Sequence, residues 1–220
     1  MKKNSLFAFL AMFVLSTPAF AGAYEDMEEA IIRGDTDAAI ALIHRGMDVN
    51  TVDRRGNTLL IQSIQRDLPG LFDFLMQRRA RINLRNIHGE TALSLAAYFG
   101  RANFARRLID AGAEVNFFGW PPLVYAACNG HTEIVDMLIS KGAEINAKTE
   151  NGSTALFFAS RFGHLETVRA LLRHRADPTL VNDHDESALD WAMKTGNTDI
   201  ADILRKAGGR PGRSAGAGPK

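Results

Sequence analysis

Gly56, Gly89, Gly119 and Gly152 stand 33, 30 and 33 residues apart, and Asp185 takes the next place after another 33. Similar runs follow each of them: "NTLLIQSIQRD", "ETALSLAAYFG", "WPPLVYAACNG", "STALFFASRFG" and "ESALDWAMKTG". No other feature constrains the fold as strongly. One copy is a single supersecondary unit that cannot bury its apolar face alone, so neighbouring copies must stack to make a core.

Each copy reads as two helices. A Thr or Ser (Thr58, Thr91, Thr154, Ser187) opens the first, where its hydroxyl can satisfy orphan backbone amides. Pro122 opens the first helix of the fourth copy, where a missing N–H costs nothing. Ala96-Ala97 and Ala126-Ala127 keep that helix thin, and Gly100, Gly130, Gly163 and Gly196 are placed to end it in a left-handed conformation. The second helix carries apolar residues at i, i+1, i+4 and i+5, as in Ile134, Val135, Leu138 and Ile139, a stripe that packs against both neighbours.

The stretches "GSTALFFASRFGHLETVRALLRHRAD" and "NGHTEIVDMLISKGAEIN" resemble the ankyrin repeat, and the resemblance runs from about Tyr24 to Gly209. It implies an all-α ankyrin-repeat solenoid of six helix-turn-helix units with short β-hairpin fingers. The units fall at 22–52, 53–85, 86–115, 116–148, 149–181 and 182–209, the first and last modified as caps. The chain departs from the family pattern in places. The histidine of T-P-L-H is replaced by Ile61, Ser94, Val124, Phe157 and Asp190. Arg79 and Arg175 replace the glycine after the second helix, and Asp67 the glycine between the helices of the second unit. That unit is expected to be the loosest. In the first unit Glu25, Asp26, Glu28 and Glu29 suit a helix N-terminus.

The two ends read differently. Lys2-Lys3, the apolar run Leu6–Leu15 and the ending Ala19-Phe20-Ala21 after Pro18 form a three-part secretory signal, residues 1–21, cut after Ala21. Its short basic region and Ala-rich end suit a bacterial exporter, so the expected location is the periplasm, with the extracellular space as the alternative. No stable membrane insertion is expected after cleavage. Residues 210–220, rich in Gly, Pro and Ser, are expected to be disordered.

Little in the chain suggests catalysis. None of the six histidines forms an H-x-x-x-H or H-E-x-x-H pair, and no phosphate loop, nucleophile elbow or dinucleotide fingerprint occurs. "DHDE" at 183–186 is either a cation ligand set or a solvated fingertip, and it lacks the other ligands of a calcium loop. Cys128, the single cysteine, cannot form an internal disulfide; it is a reactive thiol, an intermolecular link or a half-buried helix residue. No enzyme activity, cofactor or metal is expected.

What remains is a binding surface. The resemblance implies a partner met by the finger tips and the concave face of the first helices. Carried onto this chain, the positions before the inter-helix glycine include Arg66, Tyr98, Phe99, Cys128 and Phe162, and the tips include Arg54, Arg55, Phe118 and Trp120. The aromatics Tyr98, Phe99, Phe118, Trp120 and Phe162 are candidate anchors, or else pack on neighbouring helices. Leu95, Tyr125, Phe158 and Trp191 form a further row, read mainly as core. The finger "NFFG" spans three steps from Asn116 to Gly119 where its neighbours span six, so a notch is expected there, floored by Phe117, Phe118 and Trp120 and facing Tyr98, Phe99 and Phe162. Ten arginines lie between Arg54 and Arg107 against three acids, although the net charge of the chain is only +1. Arg54, Arg55 and Arg66 therefore point to an acidic protein partner, steered at long range. Nucleic acid is not expected, because the chain is exported. The function these features imply is a monomeric protein–protein interaction scaffold. The alternatives are a secreted effector acting on a host protein and a protective accessory to a periplasmic enzyme.

Overall fold

The structure, a computed structural model, describes residues 18–213. Residues 1–17 of the expected signal segment therefore lie outside the described residues, while Pro18–Ala21 and the expected cleavage point after Ala21 fall within helix α1 (Pro18–Arg33). Twelve helices occur among the described residues, in pairs whose first member has seven residues and whose second has nine in every repeat after the first. The fold is all-α, and the chain divides into two compact bodies, one ending at Ala80 and the other starting at Arg81.

In the first body α1 packs on α2 (Thr36–His44), α3 (Leu59–Gln65) packs on α4 (Pro69–Gln77), and α2 meets α4. Leu59, Leu60, Ile61, Ile64, Leu71, Phe72 and Leu75 are fully buried. Left-handed residues close the helix ends: Asp67 at φ 56° and Arg79 at φ 58°, where the family places glycine. Each costs about 1–2 kcal/mol in a non-glycine residue.

In the second body α5 (Ala92–Tyr98), α7 (Pro122–Cys128), α9 (Ala155–Arg161) and α11 (Ala188–Lys194) stack side by side as an inner layer. Their partners α6 (Ala102–Asp110), α8 (Thr132–Ser140), α10 (Leu165–Arg173) and α12 (Thr198–Lys206) form the outer layer. Small residues at the inner contacts (Ala96, Ala97, Ala126, Ala127, Ala159, Ala192, all fully buried) let the inner helices approach. The hydroxyls expected to cap do so: Thr91 accepts from the Ser94 N–H at 3.1 Å and Ser187 from the Asp190 N–H at 3.1 Å.

Two devices join one repeat to the next. His131 Nε2 donates to the Tyr98 carbonyl at 3.0 Å, and His164 Nε2 to the Cys128 carbonyl at 2.9 Å, so each ring ties the head of an outer helix to the end of the preceding inner one. Asn83, Asn116 and Asn146 accept the backbone N–H of Glu114, Glu144 and Asp177, one repeat length further along the chain, at 2.8–3.0 Å. Orphan polar groups at the repeat ends are thereby satisfied.

The fingers are less strand-like than expected. Among the described residues only isolated antiparallel bridges occur, Val52 with Thr58 and Val181 with Ser187. Side chains do the work of a ladder instead: Asp53 accepts from the N–H groups of Arg55 and Asn57, Asn86 from those of His88 and Glu90, and Asn182 from those of His184 and Glu186. Such Asx turns hold a short loop without pairing it as sheet. At the C-terminal end the chain is described to Arg213, and the Gly212 N–H reaches Asp190 Oδ2 at 2.7 Å.

Candidate functional site: an aromatic row with carboxylates

The inner layer of the second body carries a connected series of rings. Tyr98 meets Phe99 edge-on at 5.0 Å and Tyr125 at 6.0 Å. Tyr125 meets Trp120 at 5.5 Å, and Trp120 lies 4.8 Å from Phe158. Phe158 contacts Phe157, which in turn contacts Trp191 at 6.0 Å. The inner helices repeat at the same register, so position-equivalent rings (Tyr125, Phe158, Trp191) line up across three units. Phe158 is 4% exposed and belongs to the core, as the sequence suggested, whereas Tyr125 and Trp191 keep a solvent face.

The predicted anchors separate into three groups. Tyr98, Phe99 and Phe162 are 43%, 40% and 50% exposed, high for aromatics and consistent with a contact surface. Phe162 sits beside His164 and Arg161, and the Arg161 guanidinium also covers Trp191 at 4.3 Å. Trp120 joins the row through Tyr125 and Phe158 and is half-buried, so it supports the surface more than it presents it. Phe118 stands apart, 82% exposed.

The short finger does leave a depression, of about 340 Å³, but its walls are not those expected. Asn116, Phe117, Phe118 and Pro121 line it together with Glu144, Ala147 and Lys148 from the end of the same unit; Tyr98, Phe99, Trp120 and Phe162 do not. Pro121, at φ −67° and ψ 159°, extends the backbone just before α7. Trp120 therefore turns toward the row while Phe117 turns back under Arg85, at 4.2 Å. Sequence spacing could reveal the missing residues but not this division of neighbouring rings.

In the first body Arg55 and Arg66 line a depression of about 350 Å³ with Gln62, Gln65, Glu28 and the exposed Ile32. Arg54 is exposed in the same finger.

Carboxylates form part of the row, a feature the sequence reading missed. Glu90 accepts from the Tyr125 hydroxyl at 3.2 Å and from Asn86 Nδ2 at 2.7 Å. Burial, then Glu90 and Glu150, raise the Tyr125 phenol above its ordinary value. Glu186 accepts from Lys194 at 2.6 Å, from Trp191 Nε1 at 2.9 Å and from Asn182. Chiefly through the Lys194 bond, its carboxyl is held down at about 2. Burial raises the Cys128 thiol against the opposing pull of Arg161, which keeps it protonated and a poor nucleophile near neutrality. Among the described residues no cluster of three or more metal-ligating side chains occurs, "DHDE" included, and no helix is long and apolar enough to cross a membrane.

A family model described as Ankyrin repeats (3 copies) matches residues 67–149 and 145–214. The chain belongs to the ankyrin-repeat family. It is 31% identical over 149 residues to human Neurogenic locus notch homolog protein 1, covering 66% of this chain and 6% of that protein. It is 31% identical over 139 residues to the mouse B-cell lymphoma 3 protein homolog, covering 60% of this chain and 31% of that one. With an E3 ubiquitin-protein ligase hecd-1 of Caenorhabditis elegans it shares 33% identity over 99 residues, 44% of this chain and 4% of the ligase. The chain thus spans less than a third of each of these relatives.

Proposed function

We propose that this chain is a non-catalytic, monomeric protein-binding scaffold, exported to the bacterial periplasm after cleavage behind Ala21. The ankyrin-repeat fold is an interaction module, which sets the class of function. One observation carries the choice of surface: Tyr98 and Phe99 expose large ring areas at the end of a series of rings whose inner members are packed, and Phe162, set against His164 and Arg161, adds a further exposed ring. Exposed aromatics on a preorganised base make contact at low entropic cost. Arg54, Arg55 and Arg66 supply a separate cationic contact for acidic groups of the partner.

The test has two parts. N-terminal sequencing of the chain from cells should begin at Gly22, and fractionation should place it in the periplasm; recovery from medium or host cells would instead favour a secreted effector. Partner capture by the wild type should fall strongly in the Phe99→Ala and Phe162→Ala double variant. Undiminished capture by that folded variant would remove the aromatic surface from the account.

A further inference from the structure

Two similar sites occur along the row, and only one is electrically complete. Around Trp191, Glu186 accepts the indole N–H while Lys194 and Arg161 cover the ring, at 5.1 and 4.3 Å, so ring, carboxylate and cation all come from this chain. Two repeats before Trp191, Tyr125 holds the ring position; its hydroxyl donates to Glu90, a carboxylate from the finger of the preceding repeat, and Trp120 and Tyr98 flank that ring. Around Tyr125 the positions equivalent to Lys194 and Arg161 are Cys128 and Tyr98, neither of them cationic. Glu150 adds a second carboxylate: its Oε1 would lie 3.3 Å from a Cβ at Gly119, next to Trp120, and its charge is felt at Tyr125. Among the described residues neither Glu90 nor Glu150 forms an ion pair.

We propose that the site between Tyr98 and Trp120 takes a cationic side chain, arginine or lysine, from the protein partner. Its charge is met by Glu90 and Glu150, and its planar or methylene surface lies on Tyr98, Tyr125 and Trp120. Ring faces are negative and attract such groups, and a carboxylate at the rim adds direction. The arginines of residues 54–107 suggested an acidic partner, but the local sign at the row is the reverse. The partner surface therefore carries a basic residue where it meets the rings. This inference rests on the reading of the row as the partner interface.

The experiment uses the mature chain and two small probes, N-acetyl-arginine methylamide and its neutral isostere N-acetyl-citrulline methylamide, followed by NMR at the Trp120 indole and the tyrosine rings. Saturable shifts with the arginine probe, roughly tenfold weaker with citrulline, are expected for one desolvated charge contact. Glu90→Gln and Glu150→Gln should each abolish most of that preference, while Phe118→Ala leaves it unchanged. Glu150 is exposed, so its variant keeps the fold and the test remains decisive if Glu90→Gln is destabilised. Equal response to both probes, or shifts at Trp191 alone, would overturn the proposal. If partner capture depends on Phe99 and Phe162 while the arginine probe does not bind, the interface stands and this inference falls. Arginine binding with capture indifferent to those rings would instead keep the cation site and remove the interface.

Discussion

Replacing Gly100 by alanine tests how the repeats are joined. Gly100 sits at φ 68°, and a Cβ there would come within 2.5 Å of His131 Cε1 and 2.7 Å of its Nδ1. The left-handed backbone alone costs an alanine about 1–2 kcal/mol. Relieving the clash means moving the imidazole, which breaks its 3.0 Å bond to the Tyr98 carbonyl and loses a further 0.5–1.5 kcal/mol or so. Gly100→Ala should therefore destabilise the chain by about 2–3 kcal/mol. Gly112, at φ 88° with nothing within 4 Å of its Cβ position, isolates the backbone cost, and Gly112→Ala should lose only about 1–2 kcal/mol. The sharper test is a double-mutant cycle with His131→Ala. Once the ring is gone the clash is gone, so the pair Gly100→Ala and His131→Ala should cost about 1 kcal/mol less than the sum of the singles. Urea unfolding followed by far-UV circular dichroism measures these variants and the Gly112→Ala/His131→Ala pair. Additivity within about 0.3 kcal/mol, or a Gly112→Ala variant coupled as strongly to His131, would refute the argument.

Three other outcomes follow from named contacts. Glu186, held at about 2 against an ordinary 4.5, stabilises the folded chain above pH 4.5 and loses that contribution as pH falls toward 2. After allowance for solvent screening this is about 1 kcal/mol, and Glu186→Gln should remove that part of the acid dependence in pH-resolved thermal melts. Trp120→Ala should lower Tm more than Phe99→Ala or Phe162→Ala, because its stacking on Phe158 is worth about 0.5–1.5 kcal/mol beyond area, while the other two should lose capture with little loss of stability. The Cys128 thiol should alkylate with iodoacetamide more slowly at pH 8 than free cysteine does, and Arg161→Gln should slow it further by removing the one cation that favours the thiolate.

The repeat architecture was legible because it is written locally and several times over. Thr58, Thr91, Thr154 and Ser187 cap helices in any context, and a left-handed turn shows as Gly100 or Gly163 at a fixed offset. Asp67 adopts that same turn at φ 56°, and Arg79 and Arg175 a left-handed turn after the second helix at φ 58° and 67°, because the stacked helices on either side fix the backbone whatever the residue. The site was less legible. Exposure of Tyr98, Phe99 and Phe162 followed from their register, but Phe118 and Trp120, two residues apart, part company because the extended Pro121 fixes how the finger enters α7. Glu90 and Tyr125 are 35 residues apart and meet only through stacking, so no local pattern announces their hydrogen bond.

Site-specific photo-cross-linking in living cells tests the central claim most directly. A benzoylphenylalanine at position 99, on the exposed edge of the row, is compared with one at position 206 on outer-layer helix α12. The account predicts a discrete adduct with one protein partner from position 99 and none from position 206. No adduct from position 99, or the same adduct from both positions, would contradict it.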